Sequence, residues 1–140
     1  MSTTTTTTTP PPKSILITGG ASGIGLAITR HFASQPAHHQ IAILDVNAAS
    51  GPGVAASVAA EFPGSAVTFH QCDVSSWDEQ AEAFARVFEA HGARLDVVVA
   101  NAGVSEQGVT TLVRLDDGGE GPVRPRVKTV EVNLLGAIYC

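Results

Sequence analysis

Thr18-Gly19-Gly20-Ala21-Ser22-Gly23-Ile24-Gly25 limits the fold of this chain more than any other stretch. It follows the apolar run Ser14-Ile15-Leu16-Ile17-Thr18 and precedes Ile24, Ile28 and Phe32, which share one face at helical spacing. A strand that turns at once into a helix needs glycine where the backbone bends sharply and where the helix passes close behind. The start of that helix also carries backbone N–H groups without intrahelical partners, and these attract anions. Gly19 permits the exit from the strand. Gly23 and Gly25 keep Cβ atoms away from a bound phosphate and from the strand behind, and Ser22 can donate its hydroxyl. A tight turn with no ligand is the alternative, and three glycines alone do not choose between the two.

The rest of the chain repeats the strand–helix alternation. Ile41 to Leu44 is a second buried strand, closed by Asp45. Pro52 suits the first position of a helix with Val54, Val58 and Phe62 on its apolar face, stopped by Pro63-Gly64. Ala66 to Cys72 is a third strand, ending at Asp73. Ser76 and Glu79 form a capping box, with Trp77, Ala81, Phe84 and Phe88 as the stripe behind it and Gly92 as the stop. Leu95 to Ala100 is a fourth strand, running into Asn101-Ala102-Gly103. Residues 104–125 read as a loop with a short helical piece around Thr111 to Leu115. Helical spacing returns from about Pro125, with Val127, Val130, Leu134 and Ile138. His38-His39 reads as a solvated turn. Asp116, Asp117 and Glu120 read as part of a solvated loop, and no metal site is expected.

Alternating strands and helices predict an α/β domain with a doubly wound, Rossmann-type parallel sheet. Right-handed crossovers place the strands in the order 3-2-1-4. Ligands of such sheets bind at the carboxyl ends of the strands. Thr18-Gly19, Asp45, Asp73 and Asn101 all fall there. Asp45 lies twenty residues after Gly25. An acid at that point accepts from the two hydroxyls of an adenosine ribose and repels a 2′-phosphate. No Lys or Arg stands nearby to compensate, so the expected cofactor is NAD, with NADP disfavoured. Capping the following turn is the other role open to Asp45. Asp73 can accept from an adenine amino group while Val74 packs on the ring, or Asp73 can cap the helix that starts near Ser76.

Thirteen acidic residues against eight basic ones give a formal charge of −5, which argues against nucleic acid as a partner. No apolar run reaches the roughly 18 residues of a membrane span. Cys72 and Cys140 suggest neither a disulfide framework nor a metal site, and a reduced, cytoplasmic setting is expected. Residues 1–12, dominated by Thr and Pro, read as a disordered tail without the pattern of a signal peptide. Residues 13–140 then form a dinucleotide-binding domain, expected to be a truncated one.

Taken together, Thr18 to Gly25, Asn101-Ala102-Gly103 and Val132-Asn133-Leu134-Leu135-Gly136 resemble the short-chain dehydrogenase/reductase family across residues 13–140. The resemblance implies an NAD(P)-dependent oxidoreductase that moves hydride between a nicotinamide and a secondary alcohol or ketone. It assigns cofactor binding to the glycine turn, Asp45, Asp73, Val74, Asn101, Ala102, Gly103 and Lys128. It assigns a catalytic role to Asn133, which helps to hold a proton-relay water. Members are often homo-oligomers. The Asp after the second strand and the long stretch before Lys128 are similar to hydroxyprostaglandin-dehydrogenase-like members.

The family's proton-transferring Ser and Tyr-x-x-x-Lys have no counterpart here. Tyr139 is the single tyrosine and only Cys140 follows it, so it reads as a packing or interface residue. Ser105, Thr110 and Thr111 are not placed like the missing Ser. The expectation is an oxidoreductase by descent whose 140 residues alone are inactive. A non-catalytic nucleotide-binding or interaction module is the alternative. A different dinucleotide-fold enzyme such as a methyltransferase is a third reading, and the Asn101 and Asn133 blocks speak against it.

Overall fold

The computed structural model describes residues 9–105 and 127–140. The expected helical piece at Thr111 to Leu115, the acidic group Asp116, Asp117 and Glu120, and most of the Thr/Pro tail lie outside these residues.

Four strands form one parallel sheet: β1 (Ser14–Thr18), β2 (Gln40–Asp45), β3 (Ala66–Gln71) and β4 (Val97–Val99). Their order is β3-β2-β1-β4, as the alternation of strand and helix predicts. In register, Ile17 sits beside Ile43 on one side and Val99 on the other, and Asp45 sits beside Gln71. β1 and β2 are apolar on both faces because both are covered. Ile15, Ile17 and Ile41 pack with Ala33 and Val58 on one side, while Leu16, Ala42 and Leu44 pack with Cys72, Ala83 and Val87 on the other. The six strand residues in those two sets are fully buried. A buried aliphatic side chain the size of Leu or Ile contributes about 1.5–3 kcal/mol relative to exposure, which makes this pair of strands the anchor of the domain.

The helices are α1 (Gly23–Ala33), α2 (Gly51–Glu61) and α3 (Trp77–Ala90). After the undescribed segment come α4 (Lys128–Val130), a π-helical turn (Glu131–Leu135) and α5 (Gly136–Tyr139). α2 begins at Gly51, so Pro52 stands at its second position, one residue later than expected and still within the first turn.

In α1 and α3 the buried faces differ from the spacing-based expectation. In α1 the buried residues are Gly25, Thr29 and Ala33, and Ile24 is 75% exposed. In α3 they are Gln80, Ala83 and Val87, while Trp77 and Phe88 stay largely exposed. The helix face set against the sheet is fixed by the packing of whole layers, with Leu26, Ile28, Phe32 and Phe84 flanking it as partly buried residues.

Three further expectations are refined. Ser76 Oγ accepts from the Glu79 N–H at 3.3 Å, but the Glu79 carboxylate accepts from the Asp73 N–H at 2.8 Å rather than returning to Ser76. β4 is shorter than Leu95 to Ala100. His38 is exposed at φ +55, whereas His39 is buried, not solvated. His39 Nδ1 accepts the Lys13 N–H at 3.0 Å and Nε2 meets Gln35 Oε1 at 2.9 Å. Those two partners, 26 and four residues away, are what draw it inside.

Candidate nucleotide cleft

A cleft of about 530 Å³ opens at the carboxyl ends of the strands. Gly19, Ser22, Gly23, Ile24, Gly25, Asp45, Asp73, Val74, Asn101, Ala102, Gly103 and Lys128 all line it, together with Leu44, Val46, Cys72, Val104 and Val132. The twelve residues that the sequence assigns to cofactor binding thus converge on one site. Asn133 is not among the lining residues.

The glycine turn is shaped by contact with the loop after β4. Gly19 has φ +65, and a Cβ there would lie 2.9 Å from Ala102 Cα. A Cβ on Gly25 would collide with the Gly19 carbonyl oxygen and lie 2.6 Å from Asn101 Nδ2. Gly25 is therefore required by the close packing of helix on turn, and no side chain fits. Gly23, at φ +49, has open space where a Cβ would point. Ser22 is the N-cap of α1, yet its side chain makes no capping bond. The first intrahelical bond runs from the Leu26 N–H to the Ser22 carbonyl at 2.9 Å. The amides of Gly23, Ile24 and Gly25 thus have no carbonyl of their own helix to bond.

Thr18 and Asn101 tie the ends of β1 and β4 together. Thr18 Oγ1 accepts from the Asn101 N–H at 3.0 Å and the Ala102 N–H at 3.1 Å. Asn101 Nδ2 donates to the Thr18 carbonyl at 3.0 Å. The contribution of the Thr18 hydroxyl was not expected from the sequence. Its only signal is a buried Thr directly before the first glycine.

The acids have distinct surroundings. Asp45 accepts from the Ala21 N–H at 3.2 Å through Oδ2 and from the Asn47 N–H at 3.0 Å through Oδ1. Each oxygen keeps a second lone pair. Asp73 Oδ1 accepts from the N–H and hydroxyl of Ser75, at 2.9 and 2.6 Å, and Oδ2 meets Lys128 Nζ at 3.2 Å. Asp73 is thus an Asx turn before α3, and the cap itself is Ser76. Burial opposes the charge on Asp73, but the bonds from Ser75 and Lys128 outweigh it and hold the carboxyl below its ordinary range. Lys128 also donates to Ser75 Oγ at 2.8 Å. Burial, with Glu79 and Asp73 nearby, pushes the Cys72 thiol up to about 11. It is no nucleophile at neutral pH.

Asn133 sits in the π-helical turn behind the cleft wall. Its Oδ1 accepts from the Val104 N–H at 2.8 Å and its Nδ2 donates to the Val104 carbonyl at 3.0 Å. This two-point grip fixes the loop after Gly103. Tyr139 packs edge-on against Trp77, with ring centroids 5.7 Å apart, which fits its reading as a packing residue. Among the described residues no group of three His, Cys, Asp or Glu could hold a metal ion, and no helix is long and apolar enough to cross a membrane.

A family model for short chain dehydrogenases matches residues 13–140. Over 126 residues the chain is 36% identical to the NADP-dependent dehydrogenase clz5 of Cochliobolus lunatus, covering 89% of this chain and 42% of that protein. It is 36% identical over 137 residues to the 5'-hydroxyaverantin dehydrogenase stcG of Emericella nidulans, covering 90% of this chain and 41% of the relative. Among solved structures, the NADPH-dependent 3-quinuclidinone reductase from Rhodotorula rubra superimposes with a TM-score of 0.72 at 31% identity, over 92% of this chain and 44% of that one. The chain spans less than half the length of these relatives. Their names support the family and not the narrower likeness to hydroxyprostaglandin dehydrogenases. On the family match, the sheet order and the glycine turn together, this chain belongs to the short chain dehydrogenases.

Proposed function

We propose that the cleft binds a nicotinamide dinucleotide, NAD in preference to NADP, for hydride exchange with a secondary alcohol or ketone. The observation that carries this reading is the spare bonding capacity of the glycine turn. Ser22 makes no capping bond, and Gly23 leaves open space beside amides that α1 does not use. That cradle suits a pyrophosphate. Asp45 supports NAD, because its remaining lone pairs suit ribose hydroxyls and its charge opposes a 2′-phosphate. The relatives named NADP-dependent do not choose the nucleotide for this chain; the preference rests on Asp45. The nicotinamide supplies the hydride acceptor or donor when bound. Asp73, Val74, Asn101, Ala102, Gly103 and Lys128 complete the nucleotide walls. Asn133 is proposed as the family's catalytic Asn, acting through the π-helical turn that it occupies. The setting proposed is the cytoplasm. Self-association is part of the proposal, supported by the half-exposed or more exposed Val130, Leu134 and Ile138 along one helical stripe.

Binding is the property to measure, since the 140 residues contain no Tyr-x-x-x-Lys. Calorimetric titration with NAD and NADP is expected to favour NAD. Asp45→Ala is expected to weaken NAD by about tenfold, the loss of hydrogen bonds to a charged acceptor, and to raise NADP relative to NAD. An unchanged NAD to NADP ratio in that variant refutes the role of Asp45.

A further inference from the structure

We infer that Gln80 is a positioning residue for this cleft, joining the Val74 wall to the helix that carries Asn133. The inference rests on the nucleotide-binding reading above. Gln80 is 1% exposed on α3, where it shares the buried face with Ala83 and Val87. Its Nε2 donates to the Val74 carbonyl at 2.7 Å and to the Gly136 carbonyl at 2.8 Å. Its Oε1 accepts from Cys140 Sγ at 3.3 Å. One carboxamide thus uses both of its N–H groups to bridge a cleft-lining loop and a helix 56 residues further on.

The geometry leaves no slack at the joint. A Cβ on Gly136 would lie 2.8 Å from Val74 Cγ2 and 3.1 Å from the Val74 carbonyl oxygen, so the helix lies directly on the loop. Asn133 stands three residues before Gly136 and grips Val104, which also lines the cleft. Gln80 therefore sets how deep the helix sits, and through it the separation of the Val74 and Val104 walls. A buried amide that satisfies two carbonyls from different elements fixes one relative placement, because any shift leaves a carbonyl unpaired.

The decisive substitution is Gln80→Glu. It keeps the shape and removes both donors, and a carboxylate would face two carbonyls. Protonation of the introduced carboxylate restores one donor. NAD affinity in Q80E is expected to fall about tenfold at pH 8 and to recover partly relative to the unsubstituted chain at pH 6. Gln80→Met, which cannot titrate, should show the loss without the recovery. Emission of Trp77, the chain's single tryptophan, should shift with the affinity because Tyr139 on the joined helix packs against it. Equal NAD affinity in all three proteins at both pH values overturns the inference alone. No NAD binding by the unsubstituted chain overturns the nucleotide reading and the inference with it. A third measurement requires no variant: NAD should slow amide hydrogen exchange in residues 128–140 as well as around Val74. Protection confined to the glycine turn also overturns the joint.

Discussion

Both ends of the sheet are lined with polar side chains, yet they differ in what those groups have left to offer. At the amino ends of the strands the polar groups satisfy one another. Ser14 Oγ lies 2.6 Å from His91 Nδ1, and the Ser14 N–H donates to Asp96 at 2.7 Å. Arg94 bonds the other Asp96 oxygen at 2.8 Å, and His39 is shared between Lys13 and Gln35. The Ser14–His91 pair has the separation of a nucleophile and its base, but Ser14 is 3% exposed and no substrate reaches it. At the carboxyl ends, the Ser22 hydroxyl, the first amides of α1 and the second lone pairs of Asp45 remain for a ligand. Polarity alone does not mark a site; unspent hydrogen-bonding capacity beside open volume does.

The sharpest way to break this contrast is Gly25→Ala. The added Cβ would meet the Gly19 carbonyl oxygen, and overpacking of that kind costs about 3 kcal/mol. NAD affinity should fall by roughly a hundredfold, read by titration. A variant that binds like the parent removes the glycine turn from the site.

A smaller effect comes from acid and belongs to the amino end. Burial, then Lys13 and His38, lower the pKa of His39, and burial lowers that of His91. Below about pH 6.5 the unfolded chain therefore binds protons that the folded chain refuses. Stability is full above that pH and declines as pH falls, by at most about 1.4 kcal/mol per pH unit for each histidine. Urea unfolding between pH 8 and 5.5 measures it, and His39→Gln with His91→Gln should reduce the slope, leaving the part due to His70, whose pKa burial also lowers. A stability that rises toward acid contradicts the lowered pKa of both rings.

Ser14→Ala tests the other side of the contrast at the smallest scale. It should cost about 1 kcal/mol of stability for the lost His91 bond and leave NAD affinity unchanged. Weaker NAD binding in that variant would mean that the two ends of the sheet are coupled.

The sequence was legible wherever partners are close along the chain. Apolar runs closed by Gly19 and by Asp45 located β1 and β2, and polar residues at their ends located the cleft. Ser76 and Glu79 marked the start of α3 because a cap involves residues three apart. Legibility failed where volume or distance decides. The buried faces of α1 and α3 run through Gly25, Thr29 and Ala33 and through Gln80, Ala83 and Val87, not through the bulkiest apolar residues. The burial of His39 depends on Lys13, 26 residues away. Gln80 reads in sequence as one more polar residue on a charged helix.

By itself, then, the sequence determined the alternation of strand and helix, the order of the sheet, and the residues gathered at its carboxyl ends. These follow from periodicity and from turn chemistry, which are local. Only the tertiary structure decided that Asn133 holds Val104, that Thr18 ties β1 to β4, and that Gln80 binds Val74 to Gly136. A carboxamide or hydroxyl has several partners within reach of its chemistry. Which of them it meets is fixed only when the packed layers exclude water and leave one arrangement with every buried polar group satisfied.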